Sequence, residues 1–271
     1  MPEALAGGWA VVLAQLPYLL KGTFPDGPLA GAALTLWIAV LACAGATVLG
    51  IGLAMLLELM PTAPARPLRA LLAGLRAIPV LMLIFWTYFL LPMLAGVHVG
   101  EVRTVVLALA LIGAAYIAQV MEAGFDAIGR GQRQAALALG MTPPQALWQI
   151  VLPQTLRAML PSLGNVWVSL AKDTSLAYIV GVVELSTAAA QVNGRSMGYA
   201  AQVFGAVALL YFLICMGIEG VAALLLAAAR GRHGLPRAAR MPRLFRLFRA
   251  RAGRPPVAAP RASSPSRPAP P

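Results

Sequence analysis

Residues 28–57 read PLAGAALTLWIAVLACAGATVLGIGLAMLL, without one charged side chain. A helix rises about 1.5 Å per residue and needs roughly 20 mainly apolar residues to cross the hydrocarbon of a bilayer, which this run exceeds. Residues 77–97, 104–121 and 204–218 are also free of charge. The first two reach spanning length as they stand, and the third does so when extended to 199–229 with Glu219 inside it. A fifth apolar stretch, 161–188, is interrupted by Lys172, Asp173 and Glu184. The expectation is an all-α integral membrane protein of about five transmembrane helices joined by short loops, with no soluble catalytic domain.

Composition supports this class. Only 11% of the residues are charged, against about 25% in a soluble domain, so a water-facing surface cannot be covered. A net charge of +12 points first to nucleic acid, but 11 of the 21 basic residues are arginines within 230–271, behind a membrane helix. In that tail, 242–251 (PRLFRLFRAR) has the spacing of a short interfacial helix on anionic lipid. The Pro/Ala/Ser/Arg stretch from 253 onward is expected to be disordered. Cys43 and Cys215 fall inside spans as small apolar residues, and His98 and His233 have no partner at metal-ligand spacing; no metal site and no catalytic residue is expected.

Residues 1–28 form an N-terminal segment with an apolar stretch at 4–20, read as a helix at or near the interface, and a loop over 21–27. Five spans put the termini on opposite sides. With the C-terminus inside, loops 61–77 (Arg66, Arg69, Arg76) and 123–172 (Arg130, Arg133, Arg157, Lys172) hold seven basic residues against Lys21, Arg103 and Arg195 outside. Counting positive charge therefore gives an N-out, C-in orientation. The transmembrane body is 29–229.

The longest inside loop, GRGQRQAALALGMTPPQALWQIVLPQTLRAMLP over 129–161, carries the functional signal. Its Ala/Leu-rich stretch at 133–139 favours helix, and Gly140 stands where a helix end takes a left-handed residue. Thr142 is expected to cap a second helix, with Pro143 at its first position and Gln145 completing the capping box. Pro153 is expected to end it.

These residues resemble the cytoplasmic signature of ATP-binding cassette importer permeases: EAA, three residues, G, about nine residues, then I-x-LP. Here the series is Gln134-Ala135-Ala136, Gly140 and Ile150-Val151-Leu152-Pro153. The flanks are similar to the polar amino-acid subgroup: Thr35-Leu36, Arg76-Ala77-Ile78-Pro79, Tyr116, Gly131-Gln132, Lys172-Asp173-Thr174-Ser175-Leu176 and Glu184-Leu185. Gln134 replaces the usual Glu, Gln119 stands where Glu is frequent, and Glu122 where Arg is frequent. The stretch from Arg130 to Thr142 looks like glutamate/aspartate importer permeases.

The resemblance implies that Arg133, Gln134, Ala135, Ala136, Gly140, Thr142 and Pro153 belong to a coupling element that docks on a separate ATPase subunit. It implies a dimer of permease subunits in a bacterial inner membrane and a periplasmic amino-acid-binding protein. ATP and Mg are then bound by the ATPase subunit, since the chain has no G-x4-GK[ST] loop of its own; it is read as non-catalytic, with no cofactor.

Lys172 and Asp173 lie deep in the fourth span, where ionisable groups face a cavity or a partner. With Thr174 and Ser175 they are the candidates for the substrate path, Lys172 suiting an acidic substrate. Glu58 and Glu219 are read as packing or interface residues, and Glu122 and Asp126 as solvated or paired with Arg130 or Arg133. Gly45, Gly50 and Gly52 are expected to permit close helix packing. Two other classes compete. A DNA-binding helix-turn-helix at 135–151 is opposed by the flanking spans and the absence of basic residues before Arg157. A secondary transporter driven by an ion gradient would leave the loop element unexplained and carries an internal repeat that this chain lacks.

Overall fold

In an apolar medium a backbone must satisfy its own hydrogen bonds, and the uncharged runs of this chain do so as helices. The structure is a computed structural model that describes residues 2–231 apart from 97, 98, 129 and 197. Its helices are α1 (Pro2–Lys21), α2 (Gly31–Leu59), α3 (Thr62–Ala77), α4 (Val80–Ala95), α5 (Glu101–Ile128), α6 (Arg130–Ala138), α7 (Pro143–Ala146), α8 (Leu152–Asp173), α9 (Leu185–Arg195) and α10 (Ala200–Gly231). The described residues contain no β-strand beyond isolated bridges. The interfacial helix and disordered end expected in the tail lie outside the described residues.

The core is α5 clasped between α2 and α8. Ala42, Ala46 and Ala54 recur on the buried face of α2 with Gly50 between them. A Cβ on Gly50 would stand 2.7 Å from Ile117 of α5, and one on Gly113 of α5 would stand 2.7 Å from both Ala46 and Leu170. Small residues thus let the backbones touch, the way helices pack where no hydrophobic drive separates lipid from protein. Gly45 faces Ala110 in the same seam, whereas Gly52 has nothing within 4 Å and plays no part in it. The order of contacts (45 with 110, 46 with 113, 50 with 117) makes α2 and α5 parallel. The pairs 113 with 170 and 124 with 155 make α5 and α8 antiparallel.

Parallel α2 and α5 require the intervening chain to return across the bundle. It does so as a broken crossing, α3 and α4 meeting at 102° around Ile78 and Pro79. Residues 61–77, expected as a loop, are therefore mostly helix. Its arginines looked like loop charges, but they lie on an amphipathic helix beside α5. Arg69 Nε donates to Glu122 at 2.8 Å and Arg76 Nη1 to the Ala115 carbonyl at 3.1 Å, two contacts spaced alike along both helices.

The expected fourth span, 161–188, is not one helix. α8 ends at Asp173, the chain tightens into a 3-10 helix over Thr174–Val180, Gly181 turns it at φ +84, and α9 starts anew at Leu185. Among the described residues three helices, α2, α5 and α10, are long and apolar enough to cross a membrane, or four if α3 and α4 count as one broken span. α8 is shorter, at 22 residues, and carries Arg157, Lys172 and Asp173.

A second, smaller core joins α1, α9 and α10 through Val12, Leu19, Leu185, Ala188, Val192 and Val203. Glu184 organises it. Fully buried, its carboxylate accepts from the Ser186 and Thr187 backbone N–H groups at 2.9 Å and from the Tyr211 hydroxyl at 2.7 Å. It is the N-cap of α9, satisfying donors that the helix start leaves free. Gly31 ties this core to α2. Its N–H donates to Val183 at 3.0 Å, and at φ +61 a Cβ would strike the Leu19 carbonyl at 2.3 Å, so only glycine fits.

Candidate functional site

The element over 129–161 sits at the end of the bundle where α2 and α5 finish. α6 ends as its sequence demands. Met141 N–H donates to the Ala136 carbonyl at 3.2 Å and Gly140 N–H to Leu137 at 3.0 Å, with Gly140 at φ +86. That is the Schellman arrangement, closed by a left-handed glycine. The Thr142 N–H donates to Gln145 Oε1 at 2.9 Å, the reciprocal half of the expected capping box, with Pro143 opening α7.

Pro153 does not end this helix. Residues Leu147–Val151 widen into a π turn in which Leu152 N–H reaches back to the Leu147 carbonyl, and Pro153 lies in the first turn of α8. A proline ring clashes with the carbonyl four residues back; the wider turn relieves that clash. The Gln154 side chain donates to the Ile150 carbonyl at 2.8 Å. The chain therefore stays helical from α7 through α8, and the loop element is joined to a core helix without a hinge.

The element has a buried and an exposed side. Ala136, Ala146, Leu147 and Val151 are buried and hold its halves together, while Leu139 is 84% exposed and Trp148 62%. Gln134, Ala135 and Thr142 are exposed as well. The element thus presents two large apolar side chains outward. Arg133 faces the other way: its Nη1 donates at 2.5 Å to Oε1 of Glu58, at the end of α2. Neither this pair nor Arg69–Glu122 was among the sequence expectations, which read Glu122 as solvated or paired with Arg130 or Arg133 and Glu58 as a packing or interface residue. The partners are 75 and 53 residues apart, and no local pattern joins them.

At the far end of α8 the four path candidates separate by burial. Lys172 is exposed, Asp173 and Ser175 are half-buried, and Thr174 is fully buried with its hydroxyl donating to the Ala171 carbonyl at 2.8 Å. Thr174 closes a helix end, and Lys172 is the side chain of the four that presents charge to the surroundings. A pocket of about 930 Å³ lies elsewhere, between α2 and α10, lined by Val40, Ala44, Val48, Leu213, Gly217 and Val221. Its floor carries the Trp167 indole donating to Thr47 at 2.9 Å. So apolar a groove offers nothing to a charged solute. Among the described residues no group of three or more His, Cys, Asp or Glu could hold a metal.

The family model for the binding-protein-dependent transport system inner membrane component matches residues 46–225. The glutamine transport system permease protein GlnP of Escherichia coli (strain K12) is 29% identical over 209 residues, covering 77% of this chain and 91% of the relative. The glutamate/aspartate import permease protein GltK of Escherichia coli O6:H1 is 32% identical over 198 residues, covering 69% and 83%. A crystal structure described as an amino acid ABC transporter with histidines superposes with a TM-score of 0.63 at 25% identity, over 72% of this chain and 91% of that one.

Proposed function

The chain belongs to the binding-protein-dependent transport system inner membrane component family, and we propose that it is the permease subunit of an ATP-driven importer of acidic amino acids. As a member of that family it is an integral membrane protein that works with a substrate-binding protein and a separate ATPase subunit.

The observation that carries the reading is the geometry of the loop element. A helix–Gly–helix unit is locked by the turn at Gly140, offers Leu139 and Trp148 outward, and continues rigidly into α8. Such a unit suits the task of taking up motion from an ATPase subunit and passing it to the helices of the path. Gln134, Ala135, Gly140 and Thr142 form its docking side; Ala136 packs it; Arg133 and Pro153 fix it to α2 and α8. In this reading the element is cytoplasmic, the N-terminus outside, and the assembly holds two permease subunits in a bacterial inner membrane. ATP and Mg belong to the ATPase partner, and the chain itself catalyses no covalent step.

The substrate follows from Lys172, exposed at the end of α8, with Asp173 and Ser175 beside it. A cation there favours a carboxylate in transit, as for the glutamate/aspartate permease among the relatives, while the glutamine permease is the rival model.

Reconstitution tests this. The chain is placed in liposomes with the ATPase and binding protein encoded beside it, and uptake of glutamate, aspartate, glutamine, arginine and histidine is measured. ATP-dependent uptake of the two acidic substrates alone is the expected result. Uptake of a neutral or basic amino acid refutes the role given to Lys172. Transport driven by an ion gradient without the ATPase moves the chain to the secondary transporters.

A further inference from the structure

Arg76 occupies an unusual place for a cation. It is the penultimate residue of α3, next to the 102° break between α3 and α4. Its guanidinium donates to the carbonyl of Ala115 at 3.1 Å, and Ala115 is residue 15 of the 28 in α5, its midpoint. A 28-residue helix overshoots a bilayer core of roughly 20 residues at both ends, so Arg76 lies near half depth. Charge at that depth is costly and is tolerated facing water or a partner.

Among the described residues Arg76 has no charged partner. Arg69, two turns earlier on α3, has Glu122, and Arg133 has Glu58; among the described residues no carboxylate lies within ion-pair distance of Arg76. A guanidinium carries several N–H donors in a planar fork, and one of them is used here. The side chain is half-buried, and among the described residues the Ala115 carbonyl is the hydrogen-bond partner of its guanidinium.

A second helix break lies close by. The 3-10 segment Thr174–Val180, which follows Lys172, packs against both α4 and α5. The level of Lys172 follows from Gly113 of α5, which faces Leu170 of α8. Ala115 and Lys172 each lie two residues from that contact in opposite directions, so their levels differ by about 6 Å along the bundle. Irregular backbone at membrane depth survives where it lines a cavity. Two breaks, each just after a basic residue and at nearly one level, mark such a place.

We propose that Arg76 binds the carboxylate of the substrate at mid-depth in the translocation path, taking the α-carboxylate that every amino acid carries. This rests on the importer reading above but not on which amino acid is carried. The planar fork matches a carboxylate with two parallel hydrogen bonds, which an ammonium cannot reproduce.

The test uses the purified permease–ATPase complex without its binding protein, so that affinity reports the spans alone. Equilibrium binding of radiolabelled glutamate, glutamine, aspartate, arginine and histidine is measured, with 4-aminobutyrate, which is glutamate lacking its α-carboxylate, as competitor. In the wild type, 4-aminobutyrate competes poorly. Arg76→Gln is expected to weaken amino-acid binding by at least about tenfold, as for a lost charged hydrogen-bond pair, and to shrink the deficit of 4-aminobutyrate. Arg76→Lys falls between, and Arg69→Gln, which loosens α3 without touching the break, stays within about twofold of wild type.

Equal binding by Arg76→Gln, an unchanged 4-aminobutyrate deficit, or an equal loss in Arg69→Gln overturns the assignment. So does the absence of saturable binding of all five amino acids by the wild type. ATP-driven uptake by the same complex, placed in liposomes with the binding protein restored, separates the two ideas: intact uptake with unaltered binding in Arg76→Gln removes Arg76 and leaves the importer standing.

Discussion

Two glycines of α2, two residues apart, meet opposite surroundings. Gly50 is pressed on Ile117, and Gly52 has open space. Gly50→Val should lower stability by ~1–3 kcal/mol through overpacking, seen as an earlier thermal transition in detergent, while Gly52→Val should shift it by less than ~0.5 kcal/mol. Equal effects would refute the α2–α5 seam. Gly140 differs again. Nothing stands within 4 Å of a Cβ there, yet its φ is +86, so a side chain meets backbone strain of roughly 1–2 kcal/mol rather than a clash. Gly140→Trp should leave membrane insertion and protein level unchanged and abolish ATP-coupled uptake; normal uptake would remove the coupling role. In the sequence all three glycines look alike. Only Gly140, with its flanking helix formers and Thr142-Pro143, announced its conformation. The spacing of Gly50 against α5 depends on which helix lies beside it, which no local pattern states.

The elements fall into the same two groups. Helices α2, α5 and α10 were legible because an uncharged run of spanning length has no other solution in lipid. Helix α3 was not, because its arginines at 66, 69 and 76 read as loop charges although they recur at helical spacing. The fourth expected span broke at Thr174 because its polar residues end one helix and Glu184 starts another, a division set by contacts to Tyr211 and Thr35 from distant helices. Glu184 carries a direct prediction. Replacing it with Gln puts an amide N–H₂ against groups that donate, at a cost of ~2–3 kcal/mol, whereas Tyr211→Phe removes one hydrogen bond and costs ~1–2 kcal/mol. Thermal unfolding of the two variants checks the order. At the loop element, Glu58→Lys or Arg133→Glu alone should uncouple ATP hydrolysis from uptake, and the exchanged pair Glu58→Arg with Arg133→Glu should restore it. The pair is partly exposed (34% and 27%), so its stability contribution is at most ~1 kcal/mol and the readout is coupling, not melting. Failure of the exchanged pair to recover would show that position, not charge pairing, matters there.

As a whole the chain leaves one of its long apolar helices almost uncovered. The spanning window of α10 is only 6% buried, against 67% for α5, and Glu219 stands exposed on α10. Lipid can cover the leucines, but an ionisable group within a span calls for water or another protein, in keeping with the proposed pairing of permease subunits. The orientation is testable on the same scale. With Cys43 and Cys215 replaced by alanine, a cysteine in place of Leu139 should react with a membrane-impermeant maleimide in inside-out vesicles and not in intact spheroplasts. The reverse pattern would invert the topology drawn from the basic residues.

The glycine-seated contacts among α2, α5 and α8 also carry a mechanical meaning. At Gly50 and Gly113 the side chains of Ile117, Ala46 and Leu170 sit directly on a bare backbone, and a close-packed interior transmits strain rather than absorbing it. A push delivered at Trp148 would enter α8 through an unbroken helix and reach all three core helices as one stiff block. Within the part that packs on α5, the backbone departs from the regular helix at Ile78–Pro79 and Thr174–Gly181, and a movement of the block would be taken up there.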